Sequence, residues 1–133
     1  MSTQLPKNKI PAIRVLAMPA DTNAAGDIFG GWLMSWVDVA GSIEAIQQVH
    51  CRIVTVAVHE FLFIKPVFVG DLVSLYAEIV RIGRTSIRVK VEVFAERNRT
   101  ATDIEQVCEA ELTYVAIDEN RNPTPIKQDE NNT

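Results

Sequence analysis

Apolar residues follow two different periods along the chain. Between residues 31 and 49 they recur at helical spacing, with Leu33, Trp36, Val37, Ala40 and Ile43 at i, i+3, i+4, i+7 and i+10. The opposite side of that wheel carries Met34, Asp38, Gly41, Ser42, Ala45 and Val49, which are small or apolar apart from one carboxylate. Asp38 and Glu44 are the only ionisable side chains in this stretch. Such a helix is expected to be buried on both sides, against a sheet on one and against another layer or another subunit on the other.

Ahead of the helix, residues 12–17 (AIRVLA) alternate weakly and suit a short strand. Met18-Pro19 ends it, because proline lacks an N–H and restricts its predecessor. A polar, glycine-bearing loop follows, with Asp21, Thr22, Asn23, Gly26, Asp27, Gly30 and Gly31. After the helix the period becomes two, and four strands are expected over 53–64, 72–82, 85–95 and 106–117. The first is so continuously apolar that it reads as an inner strand buried on both faces. In the third, Ile87, Val89, Val91 and Val93 alternate with Arg88, Lys90 and Glu92. In the fourth, Cys108, Ala110, Leu112, Tyr114 and Ala116 share one face, and Glu109, Glu111 and Thr113 the other. Lys65-Pro66, Val69-Gly70-Asp71, residues 83–85 and residues 118–122 read as turns, and 97–103 as a polar loop. This order predicts an α+β domain over 12–118, its antiparallel sheet wrapped around one long central helix and the helix's second side closed by a partner. Residues 1–11 read as a flexible arm and 119–133 as a polar, disordered tail.

Composition narrows the function. A chain of 133 residues, 47% apolar and 23% charged, is expected to form one soluble domain. A net charge of −4 with no basic run argues against a nucleic-acid partner. No run approaches the roughly 18 apolar residues of a membrane span, and residues 5–13 lack a secretory signal's pattern, so the expected location is the cytoplasm. Cys51 and Cys108 are isolated thiols, and His50 and His59 are the only histidines. With no CxxC or HExxH spacing, no metal site is expected. Asp38, in a half-desolvated seam, is either a structural acid or a functional one.

Separated motifs carry a resemblance over residues 12–118. The run from Ala17 to Asn23 (AMPADTN), Gly26 to Trp32 (GDIFGGW), Ser35 to Gly41, Phe61 to Asp71 (FLFIKPVFVGD), and Gly83-Arg84-Thr85-Ser86 closely resemble the YciA-type acyl-CoA thioesterases of the hotdog fold. The resemblance implies a curved antiparallel sheet around a central helix, homodimers with one continuous sheet, and often trimers of dimers. It also implies acyl-CoA as substrate, hydrolysed to a free carboxylic acid and CoA without a metal or organic cofactor. Asp38 matches the family's catalytic carboxylate, and Asn23 the asparagine of its active-site loop. Trp36, Ala25 and Cys51 depart from the usual Gln, Asn and Gly, which bears on acyl preference.

On that basis each residue type has a task. Asp38 is a general base for water or a direct nucleophile. Backbone N–H groups of Gly30 and Gly31, at the positive end of the helix, suit an oxyanion, although paired glycines also serve tight packing. Asn23 orients water or substrate, or holds its own loop. Arg84, Thr85, Ser86 and Lys65 are candidates for the CoA phosphates, with Arg52 and Arg88 ranked below them. The hotdog arrangement sets Asn23 and the helix start of one subunit against Asp38 of the other. Two rival readings share the fold: a non-catalytic acyl-CoA-binding module, and a dehydratase or isomerase, which the histidine positions disfavour.

Overall fold

The computed structural model describes residues 3–98 and 102–127. Strand β1 (Ile13–Leu16) leads through a short 3-10 turn (Pro19–Asp21) and a loop into helix α1 (Gly30–Val49). Strands β2 (Ile53–Phe63), β3 (Leu72–Ile82), β4 (Ser86–Glu96) and β5 (Ile104–Ala116) follow. They form one antiparallel sheet in the order β1-β3-β4-β5-β2, with α1 packed on one face, the hotdog arrangement the motifs imply. Helix and strand limits fall within one or two residues of the expected ones.

Register explains the core. Val91 pairs with both Ala77 and Ala110, Val89 with Ile79 and Leu112, and Ile87 with Tyr114. Alternation turns all of these towards the helix, and Ile87, Val89 and Val91 are fully buried. The intervening residues face the other way and pair in charge, Arg88 with Glu111 and Lys90 with Glu109, each at 3.0 Å. Glu109 chiefly, with Glu92 and Glu111, holds the Lys90 ammonium above the ordinary lysine range.

Two expectations need correction. The buried stripe of α1 is Leu33, Val37, Ala40, Gly41, Ala45 and Val49, so Gly41, Ala45 and Val49 belong to the core and not to the second side. Small residues decide this: Ala40, Gly41 and Ala45 let the helix approach the sheet, and bulky Trp36 and Ile43 are moved to half-buried flanks. Residues 53–63 are not an inner strand. β2 is an edge, paired only with β5, and Val56, Val58, Leu62 and Phe63 are about half exposed. Ile53 and Phe61 pack on the core, but the rest of its apolar run is only partly covered within the chain.

The termini are tied down further than expected. Thr3 N–H donates to the Ile104 carbonyl, Leu5 packs on Tyr76, Phe94 and Ile104, and Lys9 lies 3.4 Å from Glu78. At the other end Thr124 N–H donates to Ala116, Ile126 N–H donates to Arg84, and Ile126 packs on the core. The rest of the expected tail, residues 128–133, lies outside the described residues, as do residues 1–2 of the arm.

The turn between β2 and β3 walls the site described next. Gly70 takes a φ of +91°, which a side chain would strain. The buried Asp71 carboxylate accepts the Phe68 N–H at 2.9 Å and Arg97 Nε at 3.4 Å, and the guanidinium stacks over the Phe68 ring. Removing one partner of so buried a pair leaves an uncompensated charge. Arg97→Ala is expected to lower the unfolding free energy by about 2 kcal/mol, read from urea denaturation at pH 7.

Candidate active site

Asp38 lies near the middle of α1, half-buried at the edge of the helix–sheet contact. Its side chain is held from β2, where the Thr55 hydroxyl donates to Oδ1 at 2.7 Å. Its main chain is held from β5, where the Tyr114 hydroxyl donates to the Asp38 carbonyl at 2.8 Å. Thr55 and Tyr114 are directly opposite each other in the sheet. Burial, then the negative charge of Asp38 and hydrogen bonding to it, holds the Tyr114 phenol well above the ordinary tyrosine range. Tyr114 therefore stays protonated and acts only as a donor to this helix.

Asn23 shapes its own loop. Its Oδ1 accepts the N–H groups of Ala25 at 2.9 Å and Asp27 at 3.1 Å, and its N–H donates to the Asp27 carbonyl. Gly26, at φ +88°, closes the turn. Asp21 anchors the loop's two ends, its carboxylate accepting Met18 N–H and its carbonyl accepting Phe29 N–H. With Oδ1 committed, the Asn23 amide has only its NH2 to offer a ligand.

The loop delivers the chain into α1 at Gly30. Phe29 gives the helix no side-chain cap, and its carbonyl takes the Trp32 and Leu33 N–H groups. The N–H groups of Gly30 and Gly31 have no acceptor among the described residues. They stand at the positive end of a 20-residue helix. A Cβ on Gly30 would come within 3.3 Å of the Phe63 ring, whereas one on Gly31 would meet nothing within 4 Å. Packing within the chain thus accounts for one glycine and not the other. Beside the helix start opens a cleft of about 270 Å³, lined by Ile28, Phe29, Leu33, Phe63 and Val67 with Lys65 among them.

The structure brings some predicted residues together and separates others. Gly30 and Lys65 line one cleft at the helix start, while Asn23 sits in the preceding loop, bonded to Ala25 and Asp27. Asp38 is eight residues beyond Gly30, about 12 Å away at the helical rise. Arg84, Thr85 and Ser86 form the turn between β3 and β4, held by Gly83 N–H to the Ser86 carbonyl at 2.7 Å. Ser86 precedes Ile87, the partner of Tyr114, so this turn lies at the Asp38 end. Lys65 follows Phe63, the partner of Cys108, at the opposite end of the sheet. About 20 Å of strand lies between the two, so they cannot grip one phosphate within one chain.

Other groups are accounted for structurally. His50 ends the helix at a φ of +55° with its N–H on the Ile46 carbonyl, and the His59 ring bonds Thr113 on the outer face of the sheet. Trp36 meets Trp32 edge to face, ring centres 6.4 Å apart. Among the described residues no three His, Cys, Asp or Glu side chains gather to hold a metal ion, and no helix is long and apolar enough to cross a membrane. Sequence reasoning did not single out Thr55, or Tyr114 with Gly41. The available signal was Tyr114 itself, a hydroxyl on an inward face that had to find a buried acceptor.

Comparisons with known proteins agree with this fold. The family model of the thioesterase superfamily matches residues 25–102. Acyl-CoA thioester hydrolase YciA of Salmonella typhimurium is 47% identical over 116 residues, 86% of this chain and 87% of that protein. The crystal structure of a hexameric thioesterase from Yersinia pestis is 44% identical, with a TM-score of 0.85 over 94% of this chain and all of that one. A hexameric hotdog-fold thioesterase of Campylobacter jejuni is 42% identical, with a TM-score of 0.82 over 88% of this chain and 90% of that one.

Burial pushes the Cys108 thiol up to about 12, with Glu109 adding to the shift. The thiolate is the reactive form. Iodoacetamide at pH 8 is expected to leave Cys108 unmodified in the native protein and to label it after unfolding, as read by peptide mass spectrometry.

Proposed function

This chain belongs to the thioesterase superfamily as an acyl-CoA thioester hydrolase, and we propose that Asp38 carries its reaction in a site shared by two copies of the chain. The observation that supports this most is the Thr55-held carboxylate on an otherwise nearly uncharged helix. A carboxylate placed there at a cost in desolvation is one retained for chemistry.

Hydrolysis needs a base or nucleophile and an oxyanion site within a few ångströms of one thioester carbon. The free N–H groups at Gly30 and Gly31 suit the oxyanion, but they lie about 12 Å from Asp38 of the same helix. A second copy removes the difficulty by presenting its helix start to this chain's Asp38. The bare edge of β2, with Val56, Val58 and Leu62, and the exposed Met34, Val39 and Ile46 of α1 supply the apolar surface for that contact. This supports a homodimer with a continuous sheet. By likeness to the hexameric relatives, three such dimers associate.

In the proposed reaction the thioester carbonyl oxygen binds the Gly30 and Gly31 N–H groups of one copy, and the Asn23 NH2 of that copy orients water or substrate. Asp38 of the other copy takes a proton from water as it attacks, or attacks the carbonyl carbon itself to give an anhydride that water then opens. Collapse of the tetrahedral intermediate breaks the carbon–sulfur bond and releases CoA as its thiolate, which takes up the proton Asp38 removed from water or, by the anhydride route, a proton released by the water that opens the anhydride. The CoA phosphates meet Arg84, Thr85 and Ser86 from the copy that supplies Asp38, or Lys65 from the copy that supplies the cleft. CoA enters only as part of the substrate, and the protein is placed in the cytoplasm.

Thiol release over short, medium and long acyl-CoAs tests the assignment. Asp38→Asn is expected to lower kcat about 1,000-fold, the range of a lost general base. Thr55→Val is expected to lower it about tenfold, because a hydrogen bond to a charged group is lost. Full turnover by Asp38→Asn would overturn the assignment of Asp38, and acyl-CoA binding without thiol release by the native protein would return the chain to the class of binding modules.

The shared site has its own test. Asp38→Asn and Asn23→Ala proteins, each weakly active alone, are unfolded together and refolded as mixed oligomers. A mixed pair holds one intact site and one doubly altered site. Turnover is expected to rise well above either parent, whereas a site contained in one chain would show no gain.

A further inference from the structure

Tyr114 projects from the inner face of β5 and is 1% exposed. Its hydroxyl reaches a carbonyl in the middle of α1, at Asp38. A mid-helix carbonyl already accepts the N–H four residues on, so the helix does not need this second donor. Nor does the core need the hydroxyl, since a phenylalanine ring would fill the same space with no polar group to satisfy. The contact carries a second cost. Gly41 stands on the same turn, and a Cβ there would lie 3.1 and 3.2 Å from Tyr114 ring carbons and closer still to its oxygen. A glycine in the middle of a helix weakens it relative to alanine. The chain accepts both features at the one turn of α1 that carries Asp38.

Register completes the picture. Tyr114 and Thr55 face each other across β5 and β2. One holds Asp38 by its main chain at 2.8 Å and the other by its carboxylate at 2.7 Å. Thr55 selects the side-chain rotamer. Tyr114, seated in the gap left by Gly41, sets the depth and rotation of the helix turn from which that side chain springs.

We infer that Tyr114 and Gly41 together form a positioning device for the reaction, fixing Asp38 against the thioester that a neighbouring copy presents. This rests on Asp38 being the reacting carboxylate. The device touches neither substrate nor water and acts only through Asp38. A small displacement of a reacting group costs rate more than it costs binding.

Tyr114→Phe removes one oxygen and keeps the ring. Its kcat is expected to fall about tenfold with KM within about twofold of the native value, as for a group displaced from its reacting geometry. Circular dichroism, oligomer size and melting temperature are expected to stay close to native. Full kcat in Tyr114→Phe, or loss of the folded oligomer, would overturn the inference. The first outcome makes the bond idle and the second makes it structural.

Gly41→Ala supplies an independent reading. Alone it is expected to lower both melting temperature and kcat, because the new Cβ displaces the Tyr114 hydroxyl. Combined with Tyr114→Phe, which removes the closest contact and leaves the ring carbons, the melting temperature is expected to recover in part while kcat stays low. Recovery of kcat together with stability would overturn the inference. Asp38→Asn is assayed alongside. If it keeps full turnover, the reading of Asp38 itself fails; if it is inactive and Tyr114→Phe keeps full turnover, only the positioning device fails.

Discussion

A 20-residue helix whose only ionisable side chains are Asp38 and Glu44 cannot be left facing water on most of its circumference, and one sheet covers one side of it. Much of the molecule follows from that constraint. The sheet-facing stripe is satisfied within the chain by Val89, Val91, Leu112 and their neighbours. The remainder leaves Met34, Val39 and Ile46 exposed, and the edge strand that reaches α1 through Thr55 leaves Val56, Val58 and Phe63 about half exposed. Helix and strand share one remedy, a second copy laid along both. Asp38, in the seam between them and tied to β2 through Thr55, lies where such a copy would close over it.

Charge is distributed in keeping with this. The face of the sheet turned away from α1 carries Arg88 with Glu111 and Lys90 with Glu109 in cross-strand ion pairs, and it can stay solvated. Exposed pairs of this kind add little stability. Their contribution is to mark the outer surface and leave the apolar side for assembly. Stability within the chain comes instead from close approach of helix and sheet, which Ala40, Gly41 and Ala45 permit. At Gly41 the approach leaves no room for a Cβ against the Tyr114 side chain, so the turn bearing Asp38 sits close on the sheet.

How much of this was legible in the sequence depended on whether a pattern reports the chain or the assembly. Alternation in residues 86–96 and 104–116 reports burial within one chain, and it located the strands and their inward faces. The apolar run at 53–63 reports burial that one chain does not provide, so it read as an inner strand and proved to be an edge. The helix wheel set the element correctly but turned its buried stripe, because it weighted bulky Trp36 above small Gly41 and Ala45. Periodicity ranks residues by hydrophobicity, while packing here selects by size. Asp38, Asn23 and the two glycines were legible as motif positions. Thr55 and Tyr114 were not, because their roles depend on a cross-strand pairing that joins residues 59 positions apart.

The proposed division of the site between copies would also divide its chemistry by sign. The helix start and the loop before it contribute donors: two backbone N–H groups without acceptors among the described residues, the Asn23 NH2 left over once Oδ1 is committed to its loop, and the Lys65 ammonium beside Gly30. The middle of the helix contributes the carboxylate. In the proposed arrangement one copy stabilises the negative charge that develops on the thioester oxygen, and the other drives its formation. Neither set completes the reaction by itself, since donors without a base leave water unactivated and a base without donors leaves the oxyanion unsupported. Placing base and donors on one rigid helix 12 Å apart, about two helical turns, guarantees that separation within a chain. In the proposed pair the same rigidity would make the two-copy geometry reproducible, because a single element would carry both halves of the site to the two seams.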